Sequence, residues 1–280
     1  MGEAKRKKRN SGPEAKFAEL QATFDRLGID TSQPGFYDDP AYVQHEQSSP
    51  LFTEAYAEWV MLRSRTAEYD ARALDIVPRV ADLIEARLIR HEWNGGCIAV
   101  TGIMTRILDR LGIWNAPISG SAAAYVGHDS RHFAVNDVHD GPGFDTGHMW
   151  IMAPPYDIID LTLHYQRWQG DKFQSHIPNQ ILATRTELVR PRVRDMVAPE
   201  VLHDYGHDPE TFPIPRDQKR VLTTFPARRF VWNATDIRYV PAGIRVQDGG
   251  LERVNIDENQ GVSAQRIWDE DMVPAFGLRG

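Results

Sequence analysis

The chain has a single cysteine, Cys97, which follows Asn94-Gly95-Gly96 and opens an apolar run ending at Ile113. Val100, Ile103, Met104, Ile107, Leu108 and Leu111 repeat at the three-and-four spacing of a buried helical face, with Gly112 as a stop, so Cys97 is expected in the first turn of a helix. Unpaired amides and the positive end of the helix dipole stabilise a thiolate there, and the thiolate is the form that attacks carbonyl carbon. Gly95 and Gly96 carry no side chains and let a substrate backbone approach the sulfur. Such a nucleophile needs a base to share its proton and a third group to hold that base in the right tautomer. His148 is the candidate base: it begins a strand-like run whose alternation puts His148, Trp150 and Met152 on one face, behind Gly147. Asp160, on a partner strand across a tight turn, is the candidate orienter, with Asp157 as its rival nearer the turn. Each residue also has a plain structural reading: small core packing for Cys97, a satisfied core histidine for His148 and a strand-end cap for Asp160.

These side chains must be positioned by helices that give way to strands. Residues 13–27 read as a helix with Phe17, Leu20, Phe24 and Leu27 on one face and Gly28 closing it. Residues 36–50 read as an irregular connection broken by Pro40 and Pro50, 51–65 as a second helix, and 71–90 as a third that Pro78 kinks. Its apolar positions are Leu74, Val77, Val80, Leu83, Ile84, Leu88 and Ile89. From residue 116 the texture changes to short β-favouring segments, 122–126, 132–135, 148–152 and 156–161, with Pro154-Pro155 turning the last two into a hairpin. Beyond residue 170 the spacing suggests a helix over 177–189, a charged and broken stretch over 191–206, strands over 221–232 and 237–246, and a loop-like end over 267–280. The expected fold is α+β, with the cysteine helix packed on one antiparallel sheet. The expected organisation is a disordered basic tail over 1–16, a catalytic core over 17–170, and a C-terminal extension over 171–280 packed on that core.

The order of these pieces resembles a known family. Gly95-Gly96-Cys97 opening a helix, Leu111-Gly112-Ile113 after it, His148-Met149-Trp150 on a strand and Asp160-Leu161-Thr162 on the next is similar to the transglutaminase-like branch of the papain-like cysteine protease superfamily. Over about residues 93–165 the resemblance implies a papain-like core and a Cys97–His148–Asp160 triad acting through a thioacyl intermediate on a peptide, protein or small amide or acyl substrate. The outcome would be hydrolysis, deamidation or transfer to an amine, with no cofactor and no metal. No glutamine placed like the papain oxyanion donor precedes Cys97, so the oxyanion would fall to the amide of Cys97 and to Trp93 or Asn94. Gly96 and Trp150 complete the candidate substrate and oxyanion set. Arylamine N-acetyltransferases share the triad order, but their arginine-led motif and the pattern after the aspartate are missing here. Two readings from other classes remain: a catalytically inactive member binding a peptide or protein in the same groove, and a histidine-dependent metal hydrolase.

Composition bounds the alternatives. A chain of 280 residues with 41% apolar and 10% aromatic content builds a substantial core, and one cysteine excludes both an internal disulfide framework and a cysteine-rich zinc site. No stretch approaches the roughly 20 apolar residues of a bilayer span, and the basic start has no apolar segment behind it, so a cytoplasmic protein without a membrane partner is expected. The formal net charge is −7, but residues 1–16 hold six basic residues against two acidic, a local +4 that leaves −11 for the remainder. That acidic body argues against nucleic acid as the main ligand, leaving only a weak contact by the tail. His128, His132 and His139, with Asp137 and Asp140, invite a metal reading, yet the intervening Asp-Ser and glycines favour a loop over a shared helical face; His203 and His207 carry less still. Ser119-Gly120-Ser121 lacks the Lys-Ser/Thr ending of a phosphate loop.

Overall fold

Local sequence sets the helix boundaries on the N-terminal side. The computed structural model describes residues 12–278 apart from 50, 134–146, 169, 198, 215, 247–248 and 255–262. Pro13 sits at the start of α1 (Pro13–Leu27) and left-handed Gly28 closes it, so Lys16 belongs to a helix, while residues 1–11 of the basic tail lie outside the described residues. The stretch 36–50, expected to be irregular, instead forms a 3₁₀ turn over Phe36–Asp38 and a helix, α2 (Pro40–Ser48). Pro40 starts that helix rather than breaking it: Asp39 accepts from the Ala41 amide at 2.7 Å, and proline at the first position has no amide to leave unpaired. α3 (Phe52–Leu62) follows, and α4 (Ala67–Arg90) is capped by Thr66 and continues through Pro78. Its buried face is Ala73, Ile76, Val77, Val80, Ala81, Ile84 and Leu88, which leaves Leu74 and Ile89 exposed. α5 (Cys97–Arg110) is the cysteine helix.

The strands are β1 (Ala116–Val126), β2 (Asp129–Phe133), β3 (His148–Ala153), β4 (Tyr156–Asp160), β5 (Ile181–Ala183), β6 (Glu187–Leu188), β7 (Arg228–Trp232) and β8 (Thr235–Ile244). All pairings are antiparallel, in the order β5-β4-β3-β1-β8-β7-β6, with β2 also on β1. Residues 171–280 therefore contribute β5 to β8 to the same sheet as β1, β3 and β4. β1 is long enough to pair with β3 over its first half and with β2 over its second, so Gly120↔His148 and Ala122↔Phe133 lie in succession along one edge. Even-numbered residues of β1, with Trp150, Met152, Ile158 and Tyr239, pack beneath α1, α2 and α3; Ile151, Ala153, Ile159 and Leu161 pack beneath α4 and α5. The architecture is α+β, with helices on both faces of the sheet.

Three C-terminal expectations are corrected. The helix expected over 177–189 is replaced by β5 and β6, because Ile181–Ala183 finds a ladder on β4 and tertiary pairing overrides weak helical spacing. The strand expected over 221–232 begins instead as a helix, α7 (Arg216–Thr224), burying Val221 on β8, and becomes β7 only after Pro226. The loop expected over 267–280 is helical: α8 (Ala264–Ile267), a π turn over Trp268–Met272 and α9 (Val273–Phe276). Ser263 caps it, Ile267 and Met272 are buried, and Asp271 and Glu270 clamp Arg87 of α4 at 2.6 Å each. Within the stretch 191–206 lies a six-residue helix, α6 (Pro199–Asp204). No helix among the described residues is long and apolar enough to cross a membrane.

Candidate active site

Cys97 is the first residue of α5, whose N-terminus carries no side-chain cap, so no capping side chain claims its first-turn amides. The approach to it is tightly built. Trp93 lies under Gly96, where an added Cβ would come within 2.7 Å of the indole. The Gly95 amide, in a left-handed turn, donates to the Tyr165 carbonyl at 2.7 Å and ties the helix start to the chain after β4. Ladder pairs between β3 and β4 are Ile151↔Ile159 and Ala153↔Tyr156, and β4 ends at Asp160, so the first residues of β3 extend past their partner. The start of α5 lies against that extension, and the Met149 amide donates toward the Cys97 sulfur. Cys97 is half-buried, not sealed in hydrocarbon.

His148 stands at the start of β3 opposite Gly120, which must be glycine because a Cβ there would meet the Val240 carbonyl at 2.3 Å and the Trp150 ring at 2.7 Å. Its imidazole is buried, and Nε2 donates to Asp160 Oδ2 at 2.5 Å. A carboxylate only accepts, so the proton sits on Nε2 and Nδ1 is the nitrogen free to exchange one. Nδ1 is buried with no hydrogen bond closed on it among the described residues, and the Cys97 thiol is a titratable neighbour of the ring. Asp160 is held from both sides. Oδ1 accepts from the Thr162 amide (2.8 Å), the Thr162 hydroxyl (2.9 Å) and the Leu163 amide (3.2 Å), and Oδ2 accepts from the Tyr239 hydroxyl (2.7 Å) as well as from His148.

The electrostatics follow from these contacts. Burial raises the Asp160 carboxyl, but His148, the Thr162 amide and Tyr239 together hold it below the usual carboxylate range. Burial pushes the His148 imidazolium down, yet the Asp160 charge and hydrogen bond, with Cys97 behind them, bring it up to about 10. Burial raises the Cys97 thiol, and the adjacent His148 charge with the Met149 amide outweigh that, leaving it below its ordinary value. The set favours a thiolate beside an imidazolium, which is a nucleophile with a proton ready for a leaving group.

Of the residues expected at the site, Cys97, His148 and Asp160 come together. Asp157 does not join them: it pairs with Arg228 at 2.9 Å and accepts from Thr186, toward the hairpin turn. The Trp93 amide is committed to the Leu88 carbonyl at 2.9 Å, which removes it as an oxyanion donor and leaves its indole as the wall under Gly96. Asn94 is exposed, with its side chain tied to the Glu92 carbonyl. Trp150 is buried edge-on to Tyr239, 4.9 Å between ring centres, and supports the site from behind. Sequence spacing gives no sign of Tyr239 and names Thr162 only within Asp160-Leu161-Thr162, without a role. Thr162 had a signal, since Asp-x-Thr is an Asx-type turn in which the carboxylate accepts from the amide two residues on; Tyr239, 79 positions from Asp160, had none.

His128 lies in the turn between β1 and β2, and His132 in β2, where it contacts Ser130 Oγ at 3.0 Å. They do not share a helix face; Asp137, His139 and Asp140 lie outside the described residues. His203 ends up in α6 and His207 beyond it, packed on Phe212. No group of three metal-competent side chains occurs among the described residues. A cavity of about 150 Å³ lined by Met61, Arg65, Tyr156, Asp157 and Arg228 lies at the turn end of the β3–β4 hairpin and touches neither Cys97 nor His148. No protein-family model, curated protein or solved structure matches the chain.

Proposed function

We propose that the protein is a cysteine-dependent acyl-transfer enzyme of transglutaminase-like, papain-like type, acting on an amide or acyl substrate through a thioacyl intermediate. The observation that carries this reading is the buried His148–Asp160 pair, with Nε2 locked on the carboxylate at 2.5 Å and Nδ1 left to the thiol of Cys97. In the first half-reaction the thiolate adds to the acyl carbonyl carbon, and the oxygen becomes an oxyanion beside the uncapped first-turn amides of α5. Collapse breaks the bond to the leaving amine, which takes the proton from His148 Nδ1, and a thioester remains on Cys97. In the second, neutral Nδ1 accepts a proton from the attacking water or amine, the thioester opens, and the thiolate–imidazolium pair returns. Peptide hydrolysis, deamidation and transamidation share this path and differ in the acyl donor and second nucleophile.

The test is intact mass spectrometry after exposure to p-nitrophenyl acetate, and iodoacetamide labelling across pH. One acyl group should appear on the parent protein, be released by hydroxylamine, be absent in Cys97→Ala and form far more slowly in His148→Ala. A thiol that titrates at its ordinary value of about 8.5 and takes no acyl group refutes the enzyme reading and leaves a peptide-binding module.

A further inference from the structure

We infer that Tyr239 is a positioning residue of the proposed site: its phenol shares one carboxylate oxygen with the catalytic imidazole and so sets how tightly Asp160 holds His148. The inference rests on the triad reading above. Asp160 Oδ1 is saturated by Thr162 and Leu163, so the balance of the carboxylate is decided at Oδ2, where His148 Nε2 (2.5 Å) and the Tyr239 hydroxyl (2.7 Å) compete for the same charge. The phenol is built in. β8 places Tyr239 opposite Ala122 on β1, and its ring is boxed by Trp150 edge-on at 4.9 Å and Phe230 stacked at 6.4 Å. Buried beside a carboxylate, Tyr239 is held well above the ordinary phenol range and stays a donor throughout the working pH range. The titratable groups facing this cluster are Cys97 from α5, His148 from β3, Asp160 from β4 and Tyr239 itself.

A hydrogen bond to an anion spreads its charge. With the phenol in place, Oδ2 pulls less strongly on the imidazolium, and His148 can still release its proton to a leaving amine. Without it, the same oxygen answers to His148 alone, the imidazolium becomes harder to deprotonate, and the thiolate beside it becomes easier to form.

The experiment is the pH dependence of Cys97 alkylation by iodoacetamide in the full-length parent protein and in Tyr239→Phe. The parent should show two steps, one where the ion pair forms and one where the imidazolium loses its proton. In Tyr239→Phe the first should move down and the second up, each by about half a pH unit, equivalent to about 0.7 kcal/mol. Acylation by p-nitrophenyl acetate should persist, while release of a poor amine leaving group slows several-fold. A structural role alone would lower the melting temperature and leave both steps in place, and that result overturns the inference, as would steps that move toward each other. Incorporating 3,5-difluorotyrosine at 239 makes the phenol a stronger donor on an almost unchanged shape, so the steps should converge; this variant decides the matter if Tyr239→Phe does not fold, and unmoved steps overturn the inference. A parent protein with one step at the ordinary thiol value refutes the triad reading itself; two parent steps that neither variant moves refute only the role of Tyr239.

Discussion

Exchanging Asp160 for Asn replaces one oxygen by a nitrogen, yet the structure makes it a severe change. The carboxylate accepts from five donors, three on Oδ1 and two on Oδ2. An asparagine keeps one acceptor oxygen. The Thr162 and Leu163 amides are fixed by the backbone, so the oxygen turns to them and the NH₂ faces His148 and Tyr239. His148 can satisfy that NH₂ only by accepting at Nε2, which moves its proton to Nδ1, the nitrogen that must take a proton from Cys97. The proposed base is then in the wrong tautomer, a defect worth about 10⁴ in turnover in a Ser-His-Asp triad. Tyr239 loses its acceptor, and one buried unsatisfied donor costs about 1–3 kcal/mol of stability. The thiol, deprived of the imidazolium and still half-buried, should titrate above its ordinary value instead of below it. Turnover of p-nitrophenyl acetate, denaturant unfolding and iodoacetamide titration measure the three effects. Asp157→Asn is the control: it disturbs Arg228 and Thr186 and should leave the Cys97 titration unmoved. If Asp160→Asn keeps turnover within tenfold of the parent, or Asp157→Asn reproduces its thiol shift, the reasoning from the Asp160 geometry fails.

Two further pH effects and one packing effect follow. In Cys97→Ser the raising contributions of Cys97 are gone and Asp160 alone holds the His148 imidazolium above 6.5, so it contributes stability that is full below 6.5 and lost as pH rises through a folded value above 6.5 and short of the parent's; chemical denaturation should show the midpoint falling over that window and staying level if the ring is not held by Asp160. Asp109, which accepts from the Tyr37 hydroxyl and from Asn115 Nδ2, is pushed up to about 7 by burial. It favours folding below 3.8 and loses that contribution as pH rises to about 7, so Asp109→Asn should flatten the stability profile there; an unchanged slope would place the titration elsewhere. Gly96→Ala drives a methyl to 2.7 Å from the Trp93 indole and should cost about 1–3 kcal/mol by overpacking, with a shift in tryptophan fluorescence and a slower Cys97 alkylation rate; near-parental values would mean the indole is free to move aside.

What could be read in the chain itself was local and periodic. The cysteine helix was legible because Val100, Ile103, Met104, Ile107 and Leu108 bury one face of it, and the β3–β4 hairpin because two short apolar runs flank Pro154-Pro155. Segments whose fate depends on a distant partner are not legible locally: Ile181–Ala183 is a strand because β4 offers it a ladder, and Trp268–Met272 is helical where Arg87 of α4 holds Asp271 and Glu270. Pro40 breaks a helix from within but starts one beside the Asp39 cap, so its effect depends on the residue before it. The choice between Asp157 and Asp160 was open in the sequence, since both lie on one short strand. Register decided it, by aiming one carboxylate at Arg228 and the other at His148. Tyr239 belongs wholly to the tertiary structure: it is brought to Asp160 by β8 returning to pair with β1, a non-local ladder that leaves no mark in the spacing of either segment. Periodicity encodes which face of an element is buried, whereas side-chain chemistry at a site depends on which elements become neighbours, and that is settled only when the sheet closes.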